Sequence, residues 1–254
     1  MTVVVIDIGN ARLKWARVTA EGTLAAQGGA LHLGAFDEAF EKLAAALPAS
    51  AARVVVSNVA GERFAARLRE LVRARYRLEP ELVAVRSEAL GVRCGYANPA
   101  RLGVDRWAAV IAAYRAVGGA ACVIGAGTAV TLDAVDGAGR HLGGLIFAGP
   151  RLAASALAQS TSGIGVTQPA RDLPSGIALL GTNTDTAVAH AALLGVAAGL
   201  DRAIATVREA LQTPVIVLVT GGDAGALAAG LETAAAVRAD LVLEGLALLA
   251  ERDR

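Results

Sequence analysis

The densest group of chemically able side chains lies at residues 95–106, Gly-Tyr-Ala-Asn-Pro-Ala-Arg-Leu-Gly-Val-Asp-Arg. The stretch is too polar and too rich in Gly and Pro to be core, yet it gathers Tyr96, Asn98, Arg101, Asp105 and Arg106. Asp105 stands just before the apolar helical run 107–114. It serves there either as an N-cap, which Asp does well, or as a general base, with Arg106 beside it as a bidentate clamp for an anion or carboxylate. A second candidate is Asp7, at the mouth of Val3-Val4-Val5-Ile6 and followed by Ile8-Gly9-Asn10. A carboxylate at the end of a buried strand is costly without a partner, and a metal-bound phosphate is one. Gly9 permits a tight turn in which the amides of Gly9, Asn10 and Ala11 face an anion. The same residue types also form ordinary β-hairpin turns.

A second copy bears on that choice. Residues 121–131, Ala-Cys-Val-Ile-Gly-Ala-Gly-Thr-Ala-Val-Thr, form another apolar strand that breaks at a glycine turn and resumes as an apolar, β-branched run. Setting Val3-Val4-Val5-Ile6 on Ala121-Cys122-Val123-Ile124 puts Gly9 on Gly127 and Asn10 on Thr128. Two such hairpins predict a duplicated α/β unit with a cleft between its halves. A third glycine turn, Thr220-Gly221-Gly222, closes the apolar strand 214–219, a common place for a ligand to approach backbone.

The elements that must position these turns follow from periodicity. Strands are expected at 3–8, 13–18, 53–59, 82–85 and 214–219, with Gly22 marking a turn after the second. Helices are expected at 37–46, closed by Pro48, and at 62–76, 107–114, 152–157, 187–200, 227–231 and 241–250, the last packing on the second half. The basic face of 62–76, with Arg63, Arg67, Arg69, Arg73 and Arg75, reads as a solvated surface. Strands alternating with helices imply a mostly parallel or mixed sheet with crossovers. The polar stretch 159–174 is long enough for a lid or an interface segment. His190 lies on an apolar helix and reads as buried or interfacial, while His32 and His141 show no partner pattern and suggest no His-based metal site.

Bulk properties exclude several classes. The chain has 254 residues, enough for one large domain or two small ones, and 55% hydrophobic residues argue against disorder. Its 24 basic and 23 acidic residues leave a net charge of +1, so no nucleic-acid surface is advertised. Asp7 and Lys14 interrupt any signal-peptide pattern, and no apolar run is expected to span a bilayer, residues 187–200 reading as a buried helix. Cys94 and Cys122 make neither a zinc spacing nor a disulfide framework, which points to the cytoplasm.

At this point the residues resemble a known family. Tyr-x-Asn-Pro-x-x-Leu-Gly-x-Asp-Arg at 96–106 is similar to the pantothenate-binding signature of the type III pantothenate kinases, members of the acetate and sugar kinase/Hsc70/actin superfamily. The opening Asp-x-Gly-Asn with Lys14 resembles their first phosphate motif, and Gly-Thr-Ala-Val-Thr-Leu-Asp at 127–133 resembles the second. Residues 143–150 resemble the Gly-Gly-x-Ile-x-Pro-Gly stretch that follows, and 220–224 the turn on the adenosine side. The resemblance implies an α/β fold of two duplicated ribonuclease-H-like, actin-like ATPase lobes, at 1–115 and 116–254, with a nucleotide cleft between them. It implies transfer of the ATP γ-phosphoryl group to the primary hydroxyl of pantothenate, the first step of coenzyme A synthesis. Asp105 is then the general base, Arg106 holds the pantothenate carboxylate, and Tyr96, Gly103 and Val104 line the pocket. Thr184 reaches pantothenate from the neighbouring protomer of a homodimer. Asp7 organises Mg²⁺ through water, and Ile8, Gly9, Asn10, Ala11, Arg12, Leu13 and Lys14, with Gly127, Thr128, Gly221 and Gly222, hold ATP.

Two departures accompany the resemblance. The first motif usually continues with Thr or Ser where this chain has Ala11, so a hydroxyl contact is missing while the backbone amide remains. The second usually begins with Asp, associated with a K⁺ or NH₄⁺ site, where this chain has Gly125. The alternative reading is a catalytically weakened family member acting as a regulatory or nucleotide-binding protein.

Overall fold

The β-branched run at the start forms β1 (Val3–Ile8), and the glycine turn after it returns the chain antiparallel as β2 (Arg12–Val18). This computed structural model describes residues 2–252. The chain continues through β3 (Leu24–Leu31), α1 (Phe36–Ala46), β4 (Arg53–Asn58), α2 (Glu62–Tyr76) and β5 (Glu81–Leu82), giving a sheet of order β3-β2-β1-β4-β5 in which β4 runs parallel to β1. A small hairpin, β6 (Glu88–Ala89) and β7 (Val92–Arg93), and a 3-10 turn at Pro99–Arg101 lead into α3 (Val104–Val117).

The second half repeats the plan. β8 (Ala121–Ala126), β9 (Ala129–Val135) and β10 (His141–Ala148) are an antiparallel meander, followed by α4 (Pro150–Ser160), a 3-10 turn at Gly176–Leu179 and α5 (Thr184–Leu211). β11 (Ile216–Thr220) pairs parallel with β8, and α6 (Ala224–Gly230) precedes β12 (Ala236–Val237). The resulting order, β10-β9-β8-β11-β12, matches the first sheet strand for strand, as the paired hairpins predict. α7 (Leu241–Arg252) ends the description.

The contacts divide the chain into two compact units, 1–116 with 240–254, and 117–239. The end of the second lobe expected at 116–254, and with it the expected packing of the last helix on the second half, is therefore corrected. Leu243, Leu246, Ala247 and Ala250 of α7 pack on Val3, Val5, Ala16, Val18 and Val55, so α7 covers one face of the first sheet. The other face, Val4, Ile6, Ile8, Leu13, Val54 and Val56, packs on Phe40 and Leu43 of α1 and Leu68 and Val72 of α2. Strand alternation thus places Asp7 on the face it shares with Val3 and Val5, toward α7 and α3. α3 and α7 meet closely, for a Cβ on Gly245 would lie 2.0 Å from the Ala108 carbonyl oxygen. Gly245→Ala is accordingly expected to lower stability by about 2–3 kcal/mol, because helix backbone cannot yield as a side chain does. A urea titration checks this by a lower midpoint at unchanged slope.

Other departures from expectation have local causes. β3, Leu-Ala-Ala-Gln-Gly-Gly-Ala-Leu, lacks β-branched residues and so carries no strand pattern. Its Gly28 lies against the Trp15 indole, where a Cβ would come within 2.5 Å of the ring. The strand expected at 82–85 is reduced to the two-residue β5. α5 runs 28 residues and, with a mean hydropathy of 1.4 over its most apolar window, is long and apolar enough by composition to cross a membrane, which corrects the expectation that no such run exists. Its Leu193, Val196, Leu200 and Ile204 nevertheless sit in the core of the second unit against β8, β9 and β11, as the buried-helix reading requires. Arg69, Arg67 and Arg73 of α2 pair with Glu62, Glu70 and Glu79 at the surface.

Candidate active site

Asp7 is flanked across the first sheet by Lys14 on β2 and Ser57 on β4. Its Oδ1 is buried without a hydrogen-bond partner, and so is Ser57 Oγ. Burial pushes the Asp7 carboxyl up to about 7, the negative charge of Asp105 adds to the rise, and the Ser57 hydroxyl and Lys14 oppose it. The Ser57 hydroxyl sits near enough to temper the carboxylate without reaching hydrogen-bond geometry, so Oδ1 keeps an unfilled acceptor position. Lys14 Nζ lies 3.3 Å from Asp240 Oδ1.

Beyond Asp7 the hairpin is closed by the Gly9 amide, which donates to the Arg12 carbonyl at 3.0 Å. Asn10 and Arg12 are exposed at its tip, Ala11 partly so. Ile8 and Leu13, expected among the ATP contacts, are fully buried in the core, so only their backbone is available to a ligand. All three histidines have hydrogen-bond partners, and that of His32 is the turn itself. His32, at 5% exposure, places Nε2 2.7 Å from the Gly9 carbonyl oxygen. His141 Nε2 lies 2.9 Å from Asp133 Oδ1, and His190 Nδ1 2.8 Å from the Leu179 carbonyl oxygen. These partners are remote in sequence or belong to backbone, which no residue pattern reports.

The motif at 96–106 assembles around the start of α3. Asn98 caps the 3-10 turn by accepting from the Ala100 amide at 3.1 Å. The Trp107 amide donates to the Gly103 carbonyl, so Gly103 stands in the cap position and Asp105 inside the first turn. That disposes of the N-cap role for Asp105. Its Oδ1 instead accepts from the Arg106 amide at 2.8 Å and folds over Gly103, where a Cβ would lie 2.6 Å away. Val104 is buried beneath. Arg106 donates from Nη1 to the Tyr96 hydroxyl at 3.1 Å, with its guanidinium 5.7 Å from the centre of the Tyr96 ring. Tyr96, Asp105 and Arg106 therefore form one group, in the same unit as Asp7, and the charge of Asp105 reaches Asp7.

In the second unit, the Gly127 amide donates to the Ala129 carbonyl at 3.2 Å and Thr128 is exposed at the tip, one residue shorter than the first hairpin. Gly221 has φ +107° and rests on Ala126, where a Cβ would lie 2.2 Å from the carbonyl oxygen, so the glycine turn is pressed against the hairpin base. Gly222 and Asp223, with Ala126, Val130, Arg151 and Leu227, line a cavity of ≈ 620 Å³. A Cβ on Gly125 would meet Thr131 Oγ1 at 2.8 Å. Thr184 is the exposed first residue of α5, after Asn183, whose side chain accepts from the Thr186 amide.

A model of the type III pantothenate kinase family matches residues 3–206. The chain belongs to the type III pantothenate kinase family. A type III pantothenate kinase of Nitrosococcus oceani is 34% identical, over 98% of this chain and 94% of its own. One of Halorhodospira halophila is 36% identical, over 95% and 94% respectively. Among solved structures, the activator of 2-hydroxyisocaproyl-CoA dehydratase from Clostridium difficile, with bound ADPNP, superposes with a TM-score of 0.55 at 12% identity, covering 100% of this chain and 95% of the other. That likeness bears on the fold alone, in which one strand order occurs twice.

Proposed function

We propose that this enzyme phosphorylates pantothenate with ATP, opening coenzyme A synthesis, and that Asp105 is its general base. The observation that carries the assignment is the joined group of Tyr96, Asp105 and Arg106 at the start of α3. The Asp105 carboxylate takes the proton of the primary hydroxyl as that oxygen bonds to the γ-phosphorus and ADP leaves. Arg106 presents a fork to the pantothenate carboxylate and is held in place by Tyr96. In the first unit the Gly9 hairpin and Lys14 offer phosphates backbone amides and positive charge, and in the second the Gly127 hairpin, Thr128, Gly221 and Gly222 are the residues assigned to ATP, since phosphoryl transfer depends chiefly on positioning and charge neutralisation.

The unfilled Oδ1 of Asp7 fits a hard cation or its water, so Asp7 is the residue to hold Mg²⁺. When bound, Mg²⁺ neutralises the β- and γ-phosphate oxygens. No K⁺ or NH₄⁺ requirement is carried over, because Gly125 offers no carboxylate. A homodimer is supported by the face of α5 that exposes Ala187, Ala191, Leu194 and Ala198 beside Thr184, and Thr184 of the partner subunit would complete the pantothenate pocket. The regulatory alternative has only Ala11 and Gly125 in its favour, and a pure binding protein has no use for the base.

The test is a competition for labelled γ-phosphate among pantothenate, glucose and glycerate. Label should pass to pantothenate alone, and transfer to a sugar would displace the substrate assignment. Arg106→Lys is expected to raise KM for pantothenate about tenfold with a smaller change in kcat, because Lys lacks the planar fork. Steady-state kinetics in pantothenate check this, and an unchanged KM would remove Arg106 from the carboxylate.

A further inference from the structure

His32 is tied to the tip of the first hairpin by two bonds. It follows β3, whose ladder with β2 ends at Arg12 opposite Leu31, and its own amide continues the ladder by donating to the Ala11 carbonyl at 3.0 Å. Its Nε2 lies 2.7 Å from the Gly9 carbonyl oxygen. A carbonyl only accepts, so Nε2 carries the proton in this contact. The ring is held by Phe64, with centroids 4.4 Å apart, and Phe64 packs on Phe36 at 4.8 Å. The imidazole is thus buried, oriented by an aromatic cluster and aimed at one backbone oxygen.

The consequence follows from peptide geometry. In a trans peptide the C=O of one residue and the N–H of the next point in opposite directions. Holding the Gly9 carbonyl toward His32 turns the Asn10 amide the other way, and holding the Ala11 carbonyl turns the Arg12 amide likewise. Gly9 is the residue whose backbone flips most easily, so something must choose between the two orientations of the peptide that follows it. We propose that His32 is a positioning residue for ATP, fixing the 9–10 peptide so that the Asn10 amide faces the phosphates. This rests on the reading of the Gly9 hairpin as a phosphate site.

The test uses three variants of the full chain, each checked for folding by its thermal transition. His32→Phe keeps the ring packing and removes the donor. His32→Gln places an amide N–H near the position of Nε2, and His32→Asn carries the same amide on a stem too short to reach Gly9. Binding of Mg·ATP is measured by calorimetry, and KM is measured separately for ATP and pantothenate. A lost hydrogen bond to a well-placed acceptor corresponds to about a tenfold effect. The Phe and Asn variants should therefore bind ATP about tenfold more weakly, with KM for pantothenate unchanged, while the Gln variant recovers most of the affinity. Equal ATP binding by the Gln and Asn variants overturns the proposal, as does a Phe variant that binds like the wild type. If the Phe variant does not fold, the Gln and Asn pair decides. A wild-type protein that binds no ATP would remove the phosphate reading itself, and the role of His32 with it.

Discussion

Asp105→Asn is expected to lower kcat by about 10²–10⁴-fold, the range a positioned general base supplies. Asn has the same shape, and its side-chain oxygen still accepts from the Arg106 amide, so the fold of the first turn of α3 should persist. Binding of ATP and pantothenate should remain close to wild type, placing the loss in kcat. The same change removes the like charge that helps push Asp7 up, so the Asp7 carboxyl should titrate below its wild-type value of about 7. Rapid-quench kinetics and equilibrium binding separate these effects. A variant that keeps most of its kcat would show that Asp105 is not the base.

Asp7→Asn should have two large effects of opposite sign. Activity should fall by about 10²-fold or more, since the charge that organises the metal and phosphates is lost. Stability of the ligand-free protein should rise. Asp7 holds its proton up to about pH 7 in the folded chain and, at the ordinary value of 3.8, loses it far earlier when unfolded. Between those values the folded state binds more protons than the unfolded state, so its stability falls as pH rises. Above about pH 7 the full cost of the ionised, desolvated carboxylate is present. Its upper bound is roughly 4 kcal/mol, and about 1–3 kcal/mol should be recovered by Asn, because the site relaxes and admits water. Denaturant midpoints at about pH 8 should be higher for the variant than for wild type, and the gap should close toward about pH 4. A lower midpoint at the alkaline end would mean that Asp7 is paired rather than stranded.

Much of this arrangement is legible before any coordinates. β1 and β8 are β-branched, apolar and cut off by glycine, so their hairpins and the duplication they mark stand out from the chain. The proposed catalytic group is legible for the same reason, because Tyr, Asn, Asp and Arg cluster where neither core nor ordinary surface explains them. What escapes is information that lies in contact rather than in pattern. α7 shows a buried stripe, and a stripe does not say which sheet it covers. β3 is built of Ala, Gly and Leu, and Gly28 is there because the Trp15 indole leaves no room for a Cβ. His32 serves a backbone oxygen 23 residues earlier, and backbone acceptors leave no trace in side-chain spacing. Asp105 reads as either an N-cap or a base by position, and only the bond from the Trp107 amide to Gly103 shows that the cap lies two residues before it.

The most direct measurement is ADP release by the purified protein with ATP and Mg²⁺, with and without pantothenate, in sodium as the sole monovalent cation. The account predicts turnover that depends on pantothenate and persists without K⁺ or NH₄⁺. No turnover from a folded protein that binds ATP, in sodium, potassium or ammonium alike, would contradict it.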